Sequence, residues 1–282
     1  MEVQLEWSLQ SLPNRVQTND VQSYAPPAPD PAPLRGDFDL RAIHATATSN
    51  TPPLVVGETI RIQMSARDSL PSNVGTNRTM SNVVTFRIVT DDEVLAALVD
   101  AQRVMREQLR QVLALQMELR DRTQTAIEQC VKETTIGLAY HEVGKCANGE
   151  QQVKDQLGAT TERLEGLLAR IRNNRIVAES DEHRMQTTVI ASLKTAQTDY
   201  VAYLIAEFEA AKALRSGEEL ATRLQALIAL QNDLIKLFEQ VMAEMIKMEN
   251  AQQVERGLRT IIKLSDQVRG MVRETDNQGG TE

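Results

Sequence analysis

The stretch NVVTFRIVTDDEVL, residues 82–95, joins two different sequence patterns. Apolar residues alternate with polar ones up to residue 89, which is typical of a half-buried strand. Thr90 and Glu93 then form a Thr-x-x-Glu capping box, in which the hydroxyl and the carboxylate each take a free backbone amide at a helix start. The stretch therefore predicts that a β region ends, and a helical region begins, near residue 90.

Proline supports the same boundary. All nine prolines lie at or before Pro71, and none occurs from Thr90 to Asp276. Because proline breaks the interior of a helix, a proline-free stretch of this length is free to be helical almost throughout. We therefore predict an α+β chain in two segregated parts, 1–90 and 91–275. Composition predicts a disordered tail at 276–282.

The first part shows four strand-like segments, at 2–9, 38–44, 59–66 and 82–89. In the last of these, Val84, Phe86 and Ile88 form the predicted buried set. Short alternating strands with turn residues between them predict a small antiparallel β-sandwich of immunoglobulin-like character, complete or incomplete. A single sheet resting on the helices is the competing interpretation. A proline-rich loop is predicted at 18–35, in an extended conformation.

The second part is predicted to hold four helices, at about 91–135, 148–173, 180–215 and 217–273. Gly137, Gly144 and Gly149 predict a turn between residues 136 and 148. Ser216 and Glu219 predict the cap of the fourth helix.

Apolar residues along these helices recur in alternating steps of three and four, which keeps one seam facing a partner helix. This spacing predicts a long antiparallel coiled-coil bundle. Gln102, Gln116 and Gln231 are polar members of the seam, and polar seam residues can fix register. The apolar rhythm shifts phase near Glu255. The apolar seam is predicted to comprise Leu95, Leu98, Met105, Leu109, Val112, Leu119, Leu224, Leu227, Leu234, Phe238, Val241 and Met245.

Composition argues against some kinds of partner. The net charge is −8 and only 3% of residues are aromatic, whereas nucleic-acid binders usually carry a basic stripe or interleaved aromatics. No apolar run approaches the roughly 18 residues needed to cross a bilayer, so no membrane span is expected. No signal peptide is visible at the N-terminus, which leaves a cytoplasmic protein or a piece of a longer one.

The residues that could support chemistry are few. Cys130 and Cys146 are the only cysteines, and they flank the predicted turn. A disulfide and two buried free thiols remain equal alternatives. A metal site would need both cysteines and His141 to converge, with His183 or Glu142, and their spacing matches no compact zinc motif. No catalytic residue, cofactor site or metal site is therefore predicted.

Several junctions together resemble a known class of protein. They are the strand-to-helix passage at 82–95, the helix end at 171–176, and the runs at 237–248 and 252–262. The chain resembles the large uncharacterised cell-envelope proteins of planctomycetes and related bacteria over most of 54–272. The resemblance implies a parent protein with a membrane anchor, immunoglobulin-like domains and a coiled coil facing the periplasm. It transfers no functional residue.

Three functional hypotheses follow. The first is a non-enzymatic structural or protein-interaction module that projects a charged coiled coil from a β-domain base toward a protein partner or a second copy of itself. The second is a sensory or signal-relay module that transmits a helical register shift through Gln102, Gln116 and Gln231. The third is a thiol or zinc enzyme built on Cys130, Cys146 and His141.

Overall fold

The computed structural model describes residues 2–9, 17–23, 54–67, 78–131, 134–175 and 177–278. The chain divides into two compact units, Met1–Glu93 and Val94–Glu282. The first holds a small antiparallel sheet and the second is helical, so the protein is mostly helical. The division lies within three residues of the boundary that the capping box predicts.

The described residues of the sheet form five strands, which are β1 (Glu2–Leu9), β2 (Gln17–Ser23), β3 (Thr59–Arg67), β4 (Arg78–Met80) and β5 (Val84–Arg87). All pairings are antiparallel, in the order β2-β1-β3-β4, and β5 also pairs with β3. β4 pairs with 65–67 and β5 with 59–62, so the two short strands share one edge of β3. Ile60 of β3 is fully buried.

The β predictions need three corrections. The described residues form a single sheet, so the second layer of a sandwich is not seen among them. Val84 and Phe86 are 51% and 46% exposed rather than buried, since no other described strand packs over them. Part of the predicted loop 18–35 is strand β2, since the prolines begin only at Pro26 and leave 17–23 free to pair with β1. The predicted strand 38–44 lies outside the described residues.

The helical unit contains four long helices. They are α1 (Asp91–Cys130), α2 (Ile136–Asn174), α3 at 179–211 and α4 (Gly217–Gln278). α3 is interrupted by two π-helical turns, Met185–Ile190 and Ala196–Val201. The predicted capping box at the start of α1 is confirmed, because the Thr90 amide donates to Glu93 Oε2 at 3.0 Å and the Glu93 amide donates to Thr90 Oγ1 at 3.2 Å.

The turn predicted at 136–148 is wrong, because α2 begins at Ile136 and runs through this segment. Its glycines belong to the helix interior. A Cβ at Gly149 would lie 2.3 Å from Leu119 Cδ2, so this glycine allows α1 and α2 to pack closely. The other helix boundaries differ by less: α1 ends at Cys130, α3 at Ala211, and α4 continues to Gln278, into the predicted tail.

Helices α1 and α2 run antiparallel. Arg122 of α1 pairs with Glu142 of α2 at 3.2 Å, and Gln116, further back along α1, bonds Glu150, further along α2. All four helices contribute to one buried apolar cluster. Each of the twelve apolar residues named for the predicted seam is buried.

Candidate functional site

A buried glutamate lies between three helices of the core. Glu150 of α2 is 0% exposed. Its Oε1 accepts two hydrogen bonds of 2.9 Å, one from Gln116 Nε2 of α1 and one from Gln231 Nε2 of α4. Glu150 Oε2, Gln116 Oε1 and Gln231 Oε1 have no hydrogen-bond partner in the described part of the chain. We call these three residues the Glu150 layer.

Burial changes the proton affinity of Glu150. Desolvation disfavours the carboxylate and raises the pKa of Glu150 from 4.5 to about 7, although the hydrogen bonds from Gln231 and Gln116 lower it in part. Both neighbouring amides are neutral, so no basic side chain of this layer compensates the negative charge. Glu150 therefore changes its protonation state near neutral pH, inside an otherwise apolar core.

The sequence predicts only part of this layer. The seam pattern predicts Gln116 and Gln231 as polar seam residues, but not Glu150. The spacing within α2 does point to Glu150, since it lies three residues before Val153 and continues the same stripe toward the N-terminus of the helix. The neighbouring glycines predict a turn instead, which places Glu150 at a helix start rather than inside a helix.

A second buried carboxylate lies on α4, further toward its C-terminus than Gln231 of the Glu150 layer. Glu249 is 5% exposed and pairs with two arginines of α1, Arg106 and, at 3.3 Å, Arg103. Unlike Glu150, Glu249 has positively charged partners, and both arginine side chains are partly exposed to solvent. Gln102 is also buried, and neither of its amide atoms has a hydrogen-bond partner among the described residues.

Cys130 and Cys146 are both buried free thiols. Cys146 Sγ lies 3.6 Å from Thr123 Oγ1, and Thr123 is seven residues before Cys130 on α1. Seven helical residues span about 10 Å, beyond the Cα separation that a disulfide needs. The disulfide alternative depended on a turn that the structure replaces with helix α2.

The thiol chemistry of the third hypothesis is not favoured. Burial raises the pKa of Cys130, and burial raises the pKa of Cys146 to about 11, so the reactive thiolates are disfavoured at neutral pH. His141 and His183 are exposed. Within the described ranges, no group of three His, Cys, Asp or Glu side chains is arranged to hold a metal ion.

The C-terminal part of α4 exposes an apolar face. The buried seam of α4 includes Met248 and reaches Gln252, which is 1% exposed. Beyond it, large apolar side chains on one side of the helix are exposed by more than half of their surface. We call this set the α4 face: Val254 63%, Leu258 55%, Ile261 63%, Ile262 60%, Leu264 56% and Val268 53%.

A phase shift near Glu255 accompanies this exposure, and beyond it the helix is exposed on all sides from residue 260 to 271. Continuing the buried seam from Met248 and Gln252 by steps of three and four leads to Glu255 and Arg259, which form an ion pair at 2.6 Å. The apolar residues instead occur one position earlier, at Val254 and Leu258. One residue corresponds to a rotation of about 100°, so the α4 face is turned away from the direction of the core seam.

No known protein family, curated protein or solved structure matches the chain. No helix of the described residues has the length and apolarity needed to cross a membrane.

Proposed function

We propose that this chain is a non-enzymatic structural or protein-interaction module, and that the α4 face is its binding surface. The exposed α4 face is the observation that carries the proposal. Six large apolar side chains lie together on one side of a helix, and an exposed contiguous apolar patch commonly marks an interaction site. Coiled-coil pairing through this face would bury them, since their spacing continues in steps of four and three.

The opposite side of the same segment supports this interpretation. Arg256, Lys263 and Asp266 are charged and exposed there. An amphipathic helix of this kind usually buries its apolar side against another surface and leaves its charged side in water. Within the described part of the helical unit, this segment is exposed on all sides, so its apolar side is free to pack against another surface.

Location in the cell envelope, facing the periplasm and within a larger anchored protein, belongs to the same proposal. It rests on the resemblance of the helix and strand junctions between residues 54 and 272. A cytoplasmic location is the alternative.

Site-specific photo-crosslinking in the native host tests the proposal. A benzophenone amino acid at Ile261 lies on the α4 face, whereas the same group at exposed Gln267 lies on the other side of the helix. We expect a discrete protein adduct from position 261 and little from position 267. The proposal fails if the two positions give equal yields or if neither gives an adduct.

The second candidate function is a signal relay through the helical core, and the Glu150 layer favours it. Loss of the Glu150 proton near pH 7 places an uncompensated charge between α1, α2 and α4, and relief of that charge requires a change in packing or register. This candidate depends on the Glu150 carboxyl, which a Glu150→Gln substitution replaces with a permanently neutral amide.

A further inference from the structure

We infer that the occupant of the α4 face is the same face of a second copy of this chain, paired antiparallel about a two-fold axis near Ile262. This inference rests on the proposed function and names its partner. The spacing of the apolar residues and the charges beside them support self-pairing of this face.

The apolar spacing allows self-pairing. Val254, Leu258, Ile261 and Val268 follow steps of four, three and seven residues, and Ser265 occupies the seam position between the last two. In an antiparallel pair centred at Lys263, next to Ile262, Leu258 lies beside Val268 of the second copy and Ile261 lies beside Ser265. Every layer then contains at least one apolar side chain. The single polar position costs stability but fixes the register.

The flanking charges select the antiparallel direction. Glu255 and Arg269 directly follow the seam residues Val254 and Val268, and each lies seven residues from Ile262. With the axis of the seam pairing, at Lys263, Glu255 of one copy lies within two residues, about 3 Å along the helix, of the level of Arg269 of the other, and the two-fold symmetry repeats this pair. A parallel pair in register would set Glu255 level with Glu255 and Arg269 level with Arg269, with no such attraction. The face is thus complementary to itself, as a two-fold interface requires.

Both charged side chains are accessible for this contact. Arg269 is 75% exposed and its ion pair with Asp266 is long, at 3.8 Å. Glu255 is 39% exposed and pairs with Arg259 of the same helix. The seam is short, which places the interface at the low end of the size range, below about 1,200 Å² in total. Association is therefore expected to depend on protein concentration.

Charge exchange tests both the partner and the direction. The full chain and the variants Glu255→Lys and Arg269→Glu are compared by sedimentation velocity over a concentration series. Each single variant has two like-charge pairs, so we expect its self-association to be about tenfold weaker than that of the unmodified chain. An equimolar mixture of the two variants has two opposite-charge pairs in the heterodimer, so association should return to the original level. A double variant that carries both Glu255→Lys and Arg269→Glu in one chain should also associate at the original level.

Two results would contradict antiparallel self-pairing, and two others would indicate a different partner for the α4 face. A monomeric unmodified chain, or a mixture that associates no better than its two components, overturns antiparallel self-pairing. Circular dichroism of each variant establishes that the helices remain folded. A photo-adduct between position 261 and a different protein, together with a monomeric chain, would leave the interaction module standing and reject the second copy as its partner. Cosedimentation of a monomeric chain with anionic lipid vesicles would also reject it, in favour of a membrane surface.

Discussion

At the residue scale, Glu150 is a fully buried carboxyl group that is held by two neutral amides. Its raised pKa means that the folded state keeps a proton, between about pH 4.5 and 7, that the unfolded state has released. Stability contributed by this group therefore falls as pH rises through that window and stays lower above it. At 1.36 kcal/mol per pH unit, the difference corresponds to about 3 kcal/mol.

Replacing Glu150 with glutamine removes this titration. The amide oxygen can still accept from Gln116 and Gln231, and it carries no charge at any pH. Relative to the unmodified chain, we expect Glu150→Gln to raise the free energy of unfolding by about 2–3 kcal/mol more at pH 8 than at pH 5. Urea unfolding at both pH values measures this difference. Glu239→Gln, the same change at an exposed position of α4, should show no such difference; equal pH profiles for Glu150→Gln and the unmodified chain would contradict the account.

At the element scale, the helices end where particular residues allow them to end. The amide of Glu219 donates to Ser216 Oγ at 3.4 Å, as the predicted cap of α4 requires. Gly217 comes next to the backbone of Cys130, and a Cβ at this position would lie 2.8 Å from the Cys130 carbonyl oxygen. The start of α4 therefore packs against the end of α1 through a contact that only glycine permits.

Alanine substitutions separate this packing role from helix propensity. Gly217→Ala should lower the free energy of unfolding by about 1–3 kcal/mol, because the backbone of α1 must move. Gly166→Ala in α2 meets no atom within 4 Å, so it should raise stability by up to about 1 kcal/mol through better helix propensity. Thermal unfolding followed by circular dichroism measures both. A stabilising Gly217→Ala would show that the close contact does not constrain the helix start.

Sequence periodicity predicts the helical elements better than it predicts their joints. The capping box at Thr90 and the buried seam depend on local spacing, which the sequence contains. The predicted α1–α2 turn is wrong because glycine marks either a turn or a close helix contact, and only the position of Leu119 distinguishes the two for Gly149. The burial of Glu150 cannot be predicted for the same reason. The phase shift at Glu255 does not by itself predict that the α4 face is exposed. The same shift in the apolar pattern would occur if α4 began to pack against a different helix of the same bundle.

At the scale of the whole molecule, the helical unit completes its own core and then continues. The apolar cluster includes residues of all four helices up to Met248, and the α4 face begins six residues later with its apolar side in a different direction. The core accounts for the packing of the helical unit, and the proposed association would give a role to the part of α4 that extends beyond it. Association through that face is the central claim of this account.

Sedimentation velocity of Ile261→Lys and Gln267→Lys tests the claim most directly. Both substitutions add one positive charge to exposed positions of the same helix, but only Ile261 belongs to the α4 face. The account predicts that sedimentation coefficients rise with concentration for the unmodified chain and for Gln267→Lys, and stay at the monomer value for Ile261→Lys. Three identical, concentration-independent profiles would contradict it.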